Sequence, residues 1–67
     1  MKKIKIIIEK MADGHYWAYA ENFEGINGGG STIPQVKKSV KSCVEIQQEL
    51  GNLKKGKYEL IFNEPIN

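Results

Sequence analysis

Sixty-seven residues, 40% hydrophobic and 27% charged, describe one small domain with no room for a second. A chain this short buries only about 60% of the surface its unfolded form exposes, and its single cysteine, Cys43, excludes an intramolecular disulfide while its single histidine leaves too few ligands for a four-coordinate Cys/His zinc site. Self-association or a partner protein is therefore the expected source of extra stability, and a net charge of +2 from 10 basic and 8 acidic residues is too balanced to announce nucleic acid.

Residues 3–10 place Ile4, Ile6 and Ile8 on one face and Lys5, Ile7 and Glu9 on the other, the pattern of a strand with one strongly buried side. Asp13-Gly14 supplies a turn. Residues 15–21 then form a second strand with apolar groups on both faces: Tyr16, Ala18 and Ala20 on one, Trp17 and Tyr19 with His15 and Glu21 on the other. Asn22 to Gly25 reads as a reversal, and residues 26–31 as a short third strand whose Gly28-Gly29-Gly30 run implies a bulge or a close backbone approach.

The clearest helix start follows. Thr32 is a good N-cap, Gln35 stands three residues on as in a capping box, and Pro34 in the first turn loses only an amide without an intrahelical partner. Ile33, Val36, Val40, Cys43, Val44 and Leu50 repeat at helical spacing, opposite Lys37, Lys38, Lys41, Gln48 and Glu49, until Gly51-Asn52. After a basic turn at residues 54–57, Tyr58 to Phe62 reads as a last strand. The expected fold is thus α+β, in the order β-β-β-α-β. A three-stranded antiparallel meander carries a fourth strand parallel to the first, with one helix on one face. The domain is expected to span residues 1–63, with a loose tail at 64–67.

Chemistry-bearing patterns are sparse. Gly25 to Thr32 resembles a phosphate-binding loop, but Ser31 stands where the loop needs a lysine, so Gly25, Gly30 and Thr32 are read as turn, close approach and cap. Glu9, Glu45 and Glu59 define the alternative reading, a small metal-dependent nuclease or hydrolase. Two-metal chemistry needs carboxylates converging on ions about 4 Å apart, and Glu9 and Glu59 fall on the strand face away from the helix. No catalytic residue, metal or cofactor is expected. One helix covers only one sheet face, which leaves Ile7, Trp17, Tyr19 and Ile61 open, rimmed by Lys5, Glu9, Glu21 and Glu59. Such a patch has the composition of a protein interface. No apolar run approaches the roughly 18 residues of a membrane span, Lys5 and Glu9 interrupt any signal-peptide core, and a free thiol fits a reducing cytoplasm.

Taken together, Ile8-Glu9-Lys10, Asp13-Gly14, Tyr16-Trp17-Ala18-Tyr19-Ala20, Glu21-Asn22-Phe23-Glu24-Gly25-Ile26 and Gly30-Ser31-Thr32 resemble the N-terminal domain of HicB-type antitoxins over residues 3–62. Gly25, Gly30 and Thr32 match family positions. Glu24 replaces a proline, Ile26 a cysteine, Ser31 an aspartate and Pro34-Gln35 a pair of glutamates. The resemblance implies a partial RNase H-like fold without nuclease activity that binds a HicA-type toxin, an mRNA interferase, and self-associates as a dimer or higher oligomer. It also implies a C-terminal DNA-binding domain, absent from these residues, so no nucleic-acid binding is assigned to this segment.

Overall fold

The computed structural model describes residues 2–65. Strands β1 (Lys2–Lys10), β2 (Tyr16–Ala20) and β3 (Asn27–Gly30) precede helix α1 (Ile33–Glu49) and strand β4 (Tyr58–Asn63). They form one sheet of order β3-β2-β1-β4, in which β1 pairs antiparallel with β2 and parallel with β4, and β2 pairs antiparallel with β3. The element order, strand directions and lone helix are those the sequence predicts. β2 and β3 are each one residue shorter at both ends than expected, although the Glu21 amide still donates to the Lys5 carbonyl and the Ala20 amide to the Ile26 carbonyl.

The core follows from the alternation in β1. Ile4, Ile6 and Ile8 are buried together with Ala18, Ile26, Val36, Val40 and Val44, while Tyr16, Ala20, Tyr58, Leu60 and Phe62 pack around that cluster half-buried. The alternate residues of β1, β2 and β4 thus share the helix side of the sheet. Four isoleucines, three valines and one alanine are a small core. Truncating one of its fully buried isoleucines to alanine removes about 2–5 kcal/mol, a large share of the 5–15 kcal/mol that stabilises a typical domain.

The glycine run makes a regular ladder rather than a bulge, with Tyr16, Trp17 and Ala18 opposite Gly30, Gly29 and Gly28. Its purpose is close approach. A Cβ on Gly28 would stand 2.9 Å from the Val40 amide nitrogen, and one on Gly30 would stand 2.8 Å from the Gln35 Cβ. The helix thus lies directly on the backbone of β3.

Thr32 caps α1 by accepting from the Gln35 amide at 3.3 Å. The reciprocal half of the expected capping box is shifted by one residue, because Gln35 Oε1 accepts from the Ser31 amide at 2.9 Å rather than from Thr32. Of the first-turn positions, Gln35 thus has its amide engaged within the chain, and Pro34 has none to satisfy. At the other end Leu50 is the C-cap and 67% exposed, so the apolar stripe ends at Val44, and Leu50 does not belong to it. The helix itself ends one residue earlier, at Glu49. Cys43, expected in the core, is half-buried, its thiol 3.3 Å from the Gly25 carbonyl, which also accepts from Gln47 Nε2. Gly25 itself adopts φ +81, a conformation other residues rarely reach, which explains a glycine at this reversal.

Side-chain to backbone bonds tie down the remaining loops. Asn22 Oδ1 accepts from the Lys5 amide and its Nδ2 donates to the Lys3 carbonyl, continuing the β2 edge past its last ladder bond. Gln48 Nε2 donates to the Lys54 and Gly56 carbonyls, and the Tyr58 hydroxyl donates to Lys54. Of the expected loose tail, Glu64 is held by Lys37 at 3.0 Å. Residues 66–67 lie outside the described residues.

Candidate protein-binding surface

Because Ile4, Ile6 and Ile8 face the helix, Lys3, Lys5, Ile7 and Glu9 face the other way, and the register sets their neighbours. Tyr19 stands opposite Ile7, and Trp17 opposite Glu9. Across the other side of β1, Ile61 stands opposite Lys5, Asn63 opposite Ile7 and Glu59 opposite Lys3. The four residues predicted as an interface therefore share the open face. They run as a diagonal stripe from Trp17 through Tyr19 and Ile7 to Ile61, since cross-strand and diagonal neighbours are the contacts a sheet offers. Ile7 and Ile61 are half-buried, whereas Trp17 and Tyr19 remain 41% and 39% exposed.

Each aromatic has a specific support. The Trp17 indole lies over Gly29, where an added Cβ would stand 3.4 Å from the ring, so the glycine on β3 doubles as a platform for the tryptophan. Tyr19 lies diagonal to Glu9. That carboxylate, by hydrogen bonding to the phenol and by its charge, with Glu21 contributing, raises the Tyr19 pKa above the usual phenol value. The Tyr19 hydroxyl is thus a neutral donor at the end of a flat ring, a combination that suits partner recognition.

Beyond the β2 end the stripe opens into a cleft of about 490 Å³ lined by Trp17, Tyr19, Phe23 and Ile26 with Glu21 and Glu24. Phe23, in the expected reversal, was not singled out as an interface residue. It packs edge-on against Tyr58 at a centroid distance of 6.2 Å. Its aromatic character inside a polar turn was the only signal available, and no periodicity assigns it a face.

The carboxylates of the alternative reading do not converge. Glu9 sits beside Trp17 at one end of the open face, Glu59 opposite Lys3 at the other, and Glu45 on the helix. Among the described residues no three His, Cys, Asp or Glu side chains are grouped to hold a metal ion. His15 has an acid beside it: its Nδ1 lies 3.1 Å from Asp13 Oδ2, and its amide donates to Asp13 Oδ1. This is a turn motif in open solvent. Of the basic residues, Lys37 is engaged, paired with Glu64 and placed 5.3 Å above the Phe62 ring. No helix among the described residues is long and apolar enough to cross a membrane.

The fold and surface define a small α+β domain whose mixed sheet is covered by one helix and carries aromatic and aliphatic groups on its uncovered side. Over 66 residues the chain is 35% identical to the UPF0150 protein ssl0738 of Synechocystis, a match covering 96% of this chain and 92% of that protein. The chain belongs to the UPF0150 family. No family model matches it, and no solved structure matches it.

Proposed function

We propose that this chain is an antitoxin-like protein-binding module of the HicB type, which neutralises a HicA-type mRNA interferase by covering its active surface and which also self-associates. It works by occlusion and carries out no reaction of its own. The observation that carries this reading is the Trp17–Tyr19–Ile7–Ile61 stripe on the sheet face that the helix leaves uncovered. Aromatic residues ringed by charges are the composition of interface centres, where a few such side chains carry most of the binding energy. The β-β-β-α-β order with β4 parallel to β1 is the arrangement that the family resemblance implies, and the dispersed carboxylates favour binding over metal-dependent hydrolysis.

Co-expression with a HicA-type ribonuclease tests it. The wild-type chain is expected to restore growth and to co-purify with the toxin, while the double variant Trp17→Ala, Tyr19→Ala folds but fails at both. Full protection by the double variant would overturn the assignment of the site. Failure of the wild-type chain to bind any such toxin would overturn the function.

A further inference from the structure

We propose that β4 is the seam of a homodimer, pairing antiparallel with β4 of a second copy about a two-fold axis at Ile61 and joining the two sheets into one of eight strands. The inference deepens the self-association part of the function proposed above and leaves Trp17 and Tyr19 to the other partner. Its starting point is burial. Among the described residues β4 is the one strand with no buried residue: Tyr58, Leu60, Ile61 and Phe62 are all half-buried, on both faces of the sheet. The sheet order places β1 on one side of β4 and no strand on the other. A groove of about 370 Å³ runs between β4 and α1, lined by Val44, Tyr58, Leu60 and Phe62, with Lys41 and Glu45 on its walls.

An exposed edge is normally guarded by lysine, proline or a bulge. Here the guards stand outside the strand, Lys57 before it and Glu64-Pro65 after it, and the six residues between carry one charge, Glu59. The other edge strand is different. β3 has four residues, three of them glycine, and α1 lies against it.

Register selects a second copy of this chain as the occupant. Residues directly opposite in an antiparallel pair share a face, so a two-fold at Ile61 sets Leu60 against Phe62 of the second copy in the groove. On the open face it sets Ile61 against Ile61 and Glu59 against Asn63. Apolar meets apolar, and the single carboxylate meets an amide able to donate to it. A two-fold at Leu60 would oppose Glu59 to Ile61, and one at Glu59 would oppose two like charges. Lys41 and Glu45 give the groove walls balanced charge, which suits a face that must meet itself. The pairing also carries the apolar stripe unbroken through Ile61 into the second copy.

Cysteine cross-linking in a Cys43→Ser background reads the register. Ile61→Cys is expected to give a covalent dimer on mild oxidation. Glu59→Cys and Asn63→Cys are each expected to stay uncrosslinked alone and to cross-link when mixed. In sedimentation equilibrium the wild type and the Trp17→Ala, Tyr19→Ala variant are both expected as dimers, whether or not the toxin assignment holds. A monomeric wild type, dissociation by the Trp17 and Tyr19 substitutions, or no cross-link through Ile61 in a folded protein would each overturn the proposal.

Discussion

Gly28 of β3 and Val40 of α1 touch so closely that a Cβ added to the glycine would stand 2.9 Å from both the Val40 amide nitrogen and its Cγ2. Backbone on the helix side cannot yield as a flexible side chain would. Gly28→Ala is therefore expected to destabilise the domain by about 1–3 kcal/mol, the range for overpacking, and Gly30→Ala by a similar amount through Gln35 and Val36. Gly29 faces the open side, so Gly29→Ala displaces only the edge of Trp17 and is expected to cost about 1 kcal/mol or less. Urea unfolding of the three variants checks the order.

The open-face aromatics are expected to separate binding from stability. With about two-fifths of each surface exposed, Trp17 and Tyr19 each keep roughly 100 Å² to bury, worth about 2 kcal/mol at 25 cal/mol per Å². Replacing both with alanine is expected to weaken partner binding about a thousandfold. The fluorescence of Trp17, the single tryptophan, is expected to shift to the blue when a partner covers it. Titration calorimetry and emission spectra measure the two effects.

Ionisation of Tyr19 gives an alkaline signature. Because Glu9 holds the phenol above its usual value, its contribution to stability is complete below about pH 10, the unfolded value. It is lost as pH rises through the higher folded value, since the unfolded chain ionises first. Tyr19→Phe and Glu9→Gln are both expected to flatten that loss. Absorbance titration is expected to lose a transition above the ordinary phenol value in Tyr19→Phe, and to show that transition lowered in Glu9→Gln.

Asp13 acts at the opposite end of the scale. Hydrogen bonds from the His15 backbone and side chain lower its pKa, so its contribution is present above the unfolded carboxylate value and lost as pH falls through the folded one. Asp13→Asn is expected to reduce the acid sensitivity of the β1–β2 turn, measured by amide exchange at Gly14 and His15.

The helix start rests on one side chain. Thr32→Ala removes the acceptor for the Gln35 amide and is expected to cost about 1 kcal/mol, with Thr32→Ser recovering most of it. Thermal unfolding followed by circular dichroism measures both.

Much of this protein was determined by local pattern. Isoleucine at every second position of β1, the alanines of β2 and the Thr32 cap each specify an element and a buried face without reference to anything distant, because side-chain direction alternates along a strand and repeats every 3.6 residues along a helix. That parity alone assigned Ile7, Trp17, Tyr19 and Ile61 to one face. Tertiary structure decided what depends on where elements meet. Parity does not give register, and register turned four residues into a diagonal stripe, placed Glu9 beside Tyr19 and kept Glu9, Glu45 and Glu59 apart. Helical spacing continues past the helix end at Glu49, so Leu50, seven residues after Cys43, shares its period and, as the exposed C-cap, none of its burial. The triple glycine shows the same division: its composition implied a close approach, and only the packing of α1 on β3 revealed that Gly28 and Gly30 accommodate the helix while Gly29 supports Trp17.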